Sequence, residues 1–253
     1  MGTVGRSVSR MFESHAEIVE YDTTASDDYP RAAMSRCDFV AICVDTPMAP
    51  DGSCDTSNVE EAVAAAPVDR ILIKSTISPG TTDRLVASTG KEICFSPEYI
   101  GEGAFRDSRW GDRAENVPFV VLGGEKAVTT WFVERLVGIL GPLKTYHRCS
   151  AIDAEIIKYM ENAFLATKVA FVNEFYEVAR TFGADWYTIR EGWLLDPRIG
   201  RSHSAVIPDQ RGFEGKCLPK DMRAIIAASI ASGYAPKLLE EVLASNERHR
   251  TLD

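Results

Sequence analysis

Short apolar runs alternate with segments of helical character throughout the first half of this 253-residue chain. The runs are mostly rich in Val, Ile or Phe, and turn or polar residues separate them. Candidate strands lie at residues 17–21, 39–44, 70–74, 92–95 and 118–122, and candidate helices lie at 58–66, 82–88 and 127–140. This alternation is typical of a parallel sheet covered by helices. It predicts a Rossmann-like, doubly wound α/β domain over residues 1–149.

The second half has a different pattern. Ser150 and Asp153 form a capping-box sequence, and neither proline nor glycine follows until Gly183. This predicts a long helix that is apolar almost all round and therefore buried. Shorter helices are predicted at residues 185–191, closed by Gly192, and at 219–232 and 236–250. Residues 150–253 are therefore expected to form an all-helical second domain, with the boundary near residue 149.

Charge and cysteine usage exclude several classes of function. The net charge of −9 argues against nucleic acid or an anionic membrane as a partner. No apolar run approaches the roughly 18 residues of a membrane span, and the first residues do not resemble a signal peptide. The cysteines lack the spacing of a zinc site, which predicts reduced thiols in a cytoplasmic protein without a metal site. They are Cys37, Cys43, Cys54, Cys94, Cys149 and Cys217.

The first residues carry part of a dinucleotide-binding fingerprint. Gly2 and Gly5 precede a helical stretch, and Asp22 ends a candidate strand 20 residues after Gly2. Glycines let the backbone approach a pyrophosphate, and an acid at this distance binds the ribose hydroxyls. Asp22 favours NAD, because a carboxylate would repel the additional phosphate of NADP. The first glycine and its strand are missing, so a simple glycine turn before a helix remains an alternative.

Four further segments follow in order along the chain. They are residues 43–47 (CVDTP), 74–82 (KSTISPGTT), 96–104 (SPEYIGEGA), and a discontinuous set of Lys158, Asn162, 196–200 (DPRIG) and 212–221 (GFEGKCLPKD). Any one of them could arise by chance, but the ordered set resembles the UDP-glucose/GDP-mannose dehydrogenase family. The resemblance implies NAD-dependent oxidation of a nucleotide-sugar alcohol to a carboxylate, with two hydride transfers at one carbon.

Cys217 is the candidate nucleophile. It lies in a loop between Gly215 and a helix that starts near Pro219, and a helix N-terminus with Lys216 and Lys220 nearby favours the reactive thiolate. The resemblance implies that this sulfur captures an aldehyde intermediate. The alternative is a small buried thiol beside a turn.

Lys158 and Asn162 are four residues apart on the predicted long helix, so their side chains project from the same face. An ammonium group on so apolar a helix needs a partner or a function, because an unpaired buried charge is costly. The resemblance implies that the two residues stabilise the developing alkoxide at the carbon that is oxidised. A structural hydrogen-bonded pair is the alternative.

Glu98 directly follows a strand and Pro97, at the edge where α/β sheets place their site residues. The resemblance implies that Glu98 is the acid/base for thioester hydrolysis and that Thr76 holds a water molecule. It implies that Asp221 supports the lysine and this water, although Asp221 could equally be a favourable charge at a helix N-terminus. Arg198 resembles an arginine of the same family, which reaches the substrate across a dimer interface.

The resemblance also assigns binding residues for cofactor and substrate. The NAD-binding candidates are Gly2, Val4, Gly5, Asp22, Thr46, Pro47, Thr76, Glu102 and Lys220. The candidates for the nucleotide sugar are Glu98, Tyr99, Ile100, Lys158, Asn162, Arg198, Gly212, Phe213 and Gly215. The helices at 151–182 and 236–250 carry more apolar surface than a small domain can easily cover. In the family that the chain resembles such helices pair two chains, so the resemblance implies a homodimer.

Three features depart from the family pattern. The first strand of the nucleotide-binding half is missing. The family's third domain, which binds much of the nucleotide, is missing as well. Glu214 replaces a glycine, which places charge and bulk beside the presumed sugar pocket. Two alternatives therefore stay open: a two-domain β-hydroxyacid dehydrogenase that makes one hydride transfer, and a non-catalytic protein that binds a nucleotide sugar.

Overall fold

The computed structural model describes residues 1–100 and 113–251. In its first part, five strands form one sheet in the order β1-β2-β3-β4-β5. The strands are β1 (Val40–Ile42), β2 (Arg70–Ile73), β3 (Glu92–Phe95), β4 (Phe119–Gly123) and β5 (Thr145–Cys149). The helices around them are α1 (Thr3–Phe12), α2 (Arg31–Met34), α3 (Ser57–Ala65), α4 (Thr81–Thr89) and α5 (Lys126–Leu140). The predicted α/β class is therefore confirmed.

The sheet is parallel at three of its four strand pairs, as predicted, and antiparallel at one. β1, β2 and β3 run parallel, with Ile42 beside Ile73 and Ile73 beside Phe95. β4 is antiparallel to β3, and β5 is again parallel to β4. Apolar runs alone do not specify strand direction, because both kinds of ladder can bury them.

Two apolar clusters cover the two faces of this sheet. Ile71 and Ile73 of β2 pack in one cluster with residues of α3 and α4. Leu72, between them, packs in the other cluster with residues of α1 and α5. Successive side chains of a strand point to opposite faces, so helices cover both sides of the sheet. This layering is the doubly wound arrangement that the sequence predicts.

Residues 17–21 do not form a strand, so that prediction is wrong. β1 pairs with β2, and within the described residues no other strand pairs with β1. An apolar run without a neighbouring strand has no partner for the hydrogen bonds of its backbone N–H and C=O groups. An extended conformation therefore adds little stability. The sequence also missed β5, because its residues Thr145–Cys149 are largely polar and partly exposed.

The second part is helical, as predicted. Its helices are α6 (Ala151–Thr181), α7 (Trp186–Trp193), α8 (Leu218–Ala231) and α9 (Lys237–Arg250). The backbone N–H of Asp153 donates to Ser150 Oγ at 3.2 Å, which confirms the predicted cap of α6. Gly192 does not end α7, because the helical ladder continues with Leu194 N–H donating to the carbonyl of Arg190.

One face of α6 is exposed, so the prediction that this helix is buried all round is wrong. Met160 is 73% exposed and Phe164 is 63% exposed. We call the exposed row the apolar stripe of α6: Ile152, Ile156, Met160, Phe164, Phe171, Phe175 and Val178. The spacing of three, four or seven residues keeps these side chains on one face. Among the described residues, no helix is long and apolar enough to cross a membrane.

Contacts divide the described residues into two compact units. The first unit contains residues 1–49, 54–100 and 113–158, and the second contains 50–53 and 159–251. The change occurs inside α6, between Lys158 and Tyr159. The domain boundary near residue 149 stays a prediction.

Candidate active site

In the first unit, the turn that follows β3 presents Glu98. The backbone N–H of Ser96 donates to the carbonyl of Ile73 at 2.8 Å, which joins the carboxyl ends of β2 and β3. Glu98 Oε1 accepts hydrogen bonds from the N–H groups of Tyr99 at 2.7 Å and Ile100 at 3.2 Å. Its Oε2 lies 3.9 Å from Nζ of Lys74, at the end of β2. The carboxylate is therefore held at the sheet edge where such folds place their sites.

The loops after β1 and β2 are joined beside this turn. Thr46 Oγ1 donates to the carbonyl of Thr76 at 2.7 Å, and Ser75 Oγ donates to the carbonyl of Val44 at 2.6 Å. The Thr46 side chain is thus used to hold the loop that carries Thr76. Pro47 is exposed beside it. These contacts bring two of the predicted NAD-binding positions together.

Lys158 lies on the part of α6 that belongs to the first unit. The side chain is buried, and its Nζ lies 4.8 Å from the centre of the Tyr99 ring. Three residues earlier, the fully buried Glu155 accepts hydrogen bonds from Gly80 N–H at 2.5 Å and from Thr82 N–H at 2.9 Å. Burial raises the pKa of Glu155, while these hydrogen bonds oppose the shift. Glu155 thereby anchors the Lys158 turn to the start of α4.

Sequence reasoning missed both Lys74 and Glu155. The available indication was a charged residue among apolar neighbours, since Lys74 follows Ile71–Ile73 and Glu155 lies between Ala154 and Ile156. A buried charge needs a partner. The partner itself could not be identified, because each one lies on a different element of the fold.

Also in the first unit, α1 begins at Thr3 without a side-chain cap on its free N–H groups. A Cβ atom on Gly5 would lie 3.8 Å from Cβ of Cys43, so helix and strand end pack closely there. Val4 packs against the apolar cluster of this helix, which leaves its backbone as the group available to a ligand. An uncapped helix start and close packing of helix and strand are two of the features of a pyrophosphate-binding turn.

Asp22 lines a cleft of about 910 Å³ together with Arg6 and Arg10. Its Oδ1 accepts hydrogen bonds from Thr24 Oγ1 at 2.5 Å and Thr24 N–H at 2.8 Å, and its Oδ2 lies 3.1 Å from the terminal amine of Met1. The Thr24 hydrogen bonds, aided by this amine, lower the Asp22 pKa to about 2. An ionised, accessible carboxylate fits the hydroxyls of an NAD ribose.

In the second unit, Asp221 is the centre of a buried polar group. Its Oδ2 accepts a hydrogen bond of 2.6 Å from Nδ2 of Asn162, and its Oδ1 lies 2.7 Å from Nζ of Lys220. The Asp221 N–H donates to the carbonyl of Cys217 at 2.8 Å. Cys217 itself is exposed at the N-cap position of α8. Asp221 therefore lies both in the first turn of the helix and in a network with predicted site residues.

The loop before Cys217 is clamped by α9. Asn246 Oδ1 accepts from Phe213 N–H at 2.6 Å, and Asn246 Nδ2 donates to the Phe213 carbonyl at 3.0 Å. Gly212 has φ of 74°, and a Cβ atom there would approach Asn246 Oδ1 to 2.4 Å. The Phe213 side chain is buried in the core of the unit, whereas a Cβ on Gly215 would meet open space. The backbone of this loop is thus the part that can face a substrate.

Two charged candidate residues of the second unit, Arg198 and Glu214, make ion pairs within that unit. Arg198 is 87% exposed and pairs with Asp196 at 2.5 Å, which raises the pKa of Arg198. Glu214 pairs with Arg250 of α9 at 3.0 Å, and both side chains are exposed. The bulk of Glu214 is therefore directed toward α9. Glu102, a predicted NAD-binding residue, lies outside the described residues.

The candidate residues fall into two groups by unit. Thr46, Thr76, Glu98, Tyr99 and Lys158 belong to the first unit. Asn162, Cys217, Lys220 and Asp221 belong to the second. Within the described part of the chain, no three His, Cys, Asp or Glu side chains are arranged for a metal ion.

Comparison with known proteins identifies both halves. Residues 10–137 match the NAD-binding domain of the UDP-glucose/GDP-mannose dehydrogenase family, and residues 152–248 match the central domain of that family. The chain is 30% identical to UDP-glucose 6-dehydrogenase TuaD of Bacillus subtilis, with 92% of this chain and 51% of TuaD covered. It is 32% identical to UDP-glucose 6-dehydrogenase AglM of Haloferax volcanii, with 88% and 55% covered. The chain thus spans about half the length of these relatives.

A solved structure has the same fold. The UDP-glucose dehydrogenase of the hyperthermophilic archaeon Pyrobaculum islandicum superposes with a TM-score of 0.73 at 30% identity. The superposition covers 86% of this chain and 52% of that protein.

Proposed function

Because the chain belongs to the UDP-glucose/GDP-mannose dehydrogenase family, with an NAD-binding domain and a central domain, we propose that it serves the oxidation of a nucleotide sugar. The proposed reaction converts the primary alcohol of the sugar to a carboxylate in two oxidations. UDP-glucose is the first substrate to test, since the relatives described above act on it by name.

One observation carries the proposal: an exposed thiol lies at the start of a helix, one turn from a buried carboxylate. Cys217 occupies the N-cap position of α8, and its carbonyl accepts from the N–H of Asp221. A helix N-terminus stabilises negative charge, and this favours a thiolate at Cys217. The Lys220–Asp221–Asn162 network fixes the geometry of the same turn. Such an arrangement suits covalent catalysis better than simple packing does.

Lys158 and Asn162 are the proposed donors in the first oxidation. They lie one turn apart on α6, and both side chains are buried. An ammonium and an amide can donate to the oxygen of the alcohol while the carbon loses a hydride and the hydroxyl loses a proton. Donors that meet the charge as it develops lower the barrier of this step. The product is an aldehyde.

Cys217 is the proposed nucleophile for the second oxidation. Its sulfur adds to the aldehyde carbon and the carbonyl oxygen takes a proton, which gives a thiohemiacetal. Loss of a second hydride and of the hydroxyl proton then gives a thioester. Covalent attachment keeps the aldehyde in the site between the two oxidations.

Glu98 and Thr76 are proposed to act in hydrolysis. Water adds to the thioester carbonyl and Glu98 accepts a proton of the water, while the C–S bond breaks and the Cys217 sulfur leaves as the thiolate. Glu98 Oε1 is fixed by two backbone N–H groups, whereas Oε2 receives no hydrogen bond from the described residues. That oxygen is therefore the one suited to accept a proton.

NAD supplies the oxidising chemistry, so that one alcohol, two NAD⁺ and one water give one carboxylate, two NADH and three protons. The α1 start, with Gly2 and Gly5, is proposed to face the pyrophosphate. Asp22 is proposed to accept hydrogen bonds from the ribose hydroxyls. Its ionised carboxylate also disfavours NADP.

We further propose a homodimer that covers the apolar stripe of α6. Large exposed apolar surfaces favour association, and the stripe extends along most of this helix. Arg198, exposed in the same unit, would then be available to a substrate bound by the partner chain. All six cysteines are free thiols, in keeping with the cytoplasmic location that we propose.

The experiment that tests the function is product stoichiometry with the purified chain. UDP-glucose and GDP-mannose are each incubated with NAD, and NADH and sugar acid are quantified. We expect two NADH for each acid released. One NADH per product would support the single-step dehydrogenase instead. Nucleotide-sugar binding by calorimetry without NADH formation would support a non-catalytic protein.

A further inference from the structure

Lys74 is a buried cation at the end of β2. It directly follows Ile71–Ile73, its backbone N–H donates to the carbonyl of Ile42 at 2.9 Å, and its side chain is 9% exposed. An ammonium group in such surroundings loses most of its hydration, so it persists only where polar partners compensate. The polar partners of Lys74 therefore indicate its role.

Among residues 1–100 and 113–251, the polar partners of the Lys74 Nζ all belong to one turn. Nζ lies 3.4 Å from Ser96 Oγ, 3.4 Å from the Pro97 carbonyl oxygen, and 3.9 Å from Glu98 Oε2. The turn is thus held by a single side chain from the neighbouring strand, in addition to the ladder between β2 and β3.

Two thiols near Lys74 do not compete for its charge. Burial raises the pKa of Cys43 and of Cys94 to about 12, and the positive charge of Lys74 opposes both shifts. Both sulfurs therefore stay protonated and neutral near pH 7. Among these neighbours, the anion that faces the ammonium is the Glu98 carboxylate.

The geometry leaves one oxygen of Glu98 available. Oε1 is occupied by two backbone N–H groups, at 2.7 and 3.2 Å. Oε2 is 3.9 Å from Nζ, close enough for charge attraction but longer than a hydrogen bond. A cation at this distance can orient a carboxylate without covering the oxygen that must accept a proton.

We propose that Lys74 is a positioning residue for Glu98 and acts in thioester hydrolysis. This inference rests on the proposed function, because it needs Glu98 to take a proton from the water that cleaves the thioester. Lys74 itself transfers no proton. It holds the turn by Ser96 and Pro97, and it keeps Oε2 directed away from the N–H groups that bind Oε1. The two oxidations use Lys158 and Asn162 and do not require Lys74.

The test compares Lys74→Met, which keeps most of the stem without the charge, with Lys74→Arg and Glu98→Gln. Lys91→Met is the matched control. Lys91 precedes β3 and donates to the carbonyls of Ala66 at 2.5 Å and Val68 at 2.9 Å, at the opposite ends of the same strands. It therefore holds the same sheet by similar bonds but lies away from Glu98.

Rapid mixing with UDP-glucose and NAD separates oxidation from hydrolysis. We expect Lys74→Met to keep the initial burst of two NADH per site and to lose about 10- to 100-fold in steady-state rate, as expected when a reacting group is misplaced. Intact-protein mass spectrometry should show the acyl adduct accumulating on Cys217, as in Glu98→Gln. Lys74→Arg should recover part of the rate. The double variant Lys74→Met/Glu98→Gln should be no slower than Glu98→Gln alone, because both changes act on one group.

The outcomes separate the inference from the function on which it rests. If the parent forms no sugar acid, the proposed function fails, and the positioning role fails with it. If the parent forms acid but Lys74→Met slows the burst and the steady state equally, Lys74 is purely structural. The same conclusion follows if Lys91→Met also accumulates the adduct. It follows as well if the fold loss in steady-state rate of the double variant equals the product of the two single losses.

Discussion

The side-chain amide of Asn162 on α6 donates a hydrogen bond of 2.6 Å to Oδ2 of Asp221 on α8. The two residues are 59 positions apart and both are buried. The bond fixes the first turn of α8, where Cys217 lies, to the part of α6 in the same unit. A polar contact in a helical core thus links two residues for which the sequence left structural and functional roles open.

We expect Asn162→Ala to lower the free energy of unfolding by about 1–3 kcal/mol, the cost of removing one partner from a buried hydrogen-bonded group. Urea unfolding measures the change. Asn58→Ala is the control. The Asn58 Nδ2 donates to Asp45 Oδ1 at 3.2 Å near the surface, and loss of this hydrogen bond should change stability little. Equal effects of the two substitutions would contradict a buried Asn162–Asp221 bond.

The nucleophile prediction concerns Cys217→Ser. A serine hydroxyl at the N-cap position has no tendency to ionise, so aldehyde capture and the second oxidation should slow by several orders of magnitude. The first oxidation should continue, because it depends on Lys158 and Asn162. Product analysis should therefore find one NADH per bound sugar, followed by a stall. Cys37→Ser, at a partly buried thiol of the first unit, should behave like the parent.

The cofactor prediction concerns the charge of Asp22. The parent should bind NAD more tightly than NADP by about ten-fold or more, and Asp22→Ala should reduce this preference, because the like-charge repulsion is removed. Fluorescence titration with each cofactor measures both affinities. Thr24→Val removes the hydroxyl that bonds Asp22 but keeps the carboxylate, so it should retain the preference. Equal affinity of the parent for both cofactors would show that Asp22 does not face the ribose.

The assembly prediction concerns the apolar stripe of α6. Phe164→Glu places a charge in the centre of the stripe, and we expect it to convert a dimer into a monomer at micromolar concentration. Sedimentation or light scattering measures the mass. Leu143→Glu, at a fully exposed position in the first unit, is the control and should leave the dimer intact. A monomeric parent would rule out the proposed dimer.

The alkaline stability of the protein should depend on Cys43 and Cys94. Their folded pKa of about 12 exceeds the unfolded value of 9.0, so the folded state keeps protons that the unfolded state loses. Stability from this source is unaffected below pH 9 and falls as the pH rises from 9 toward 12. At pH 10 each thiol should lower the free energy of unfolding by about 1 kcal/mol. Urea unfolding of the Cys43→Ser/Cys94→Ser variant should therefore show a shallower loss between pH 8 and 10 than the parent.

Much of the fold follows from local pattern. The strands at 70–74 and 92–95 and the helices of the second half can be predicted, because apolar periodicity, capping residues and proline or glycine positions act over a few neighbouring residues. The family motifs likewise specify Cys217, Lys158 and Glu98 as candidates. These properties belong to short segments, and a sequence displays them directly.

Other features depend on contacts between distant segments. Residues 17–21 have strand-like composition but lack a neighbouring strand, whereas the polar residues of β5 form a strand because β4 supplies one. The apolar stripe of α6 looks like core in sequence and is exposed in the structure. The sequence alone therefore determined which segments can form strands and helices and which side chains can do chemistry. Only the tertiary structure decided that Lys74 faces Glu98 and that Asn162 faces Asp221, because a buried charge takes its partner from whichever element folds beside it.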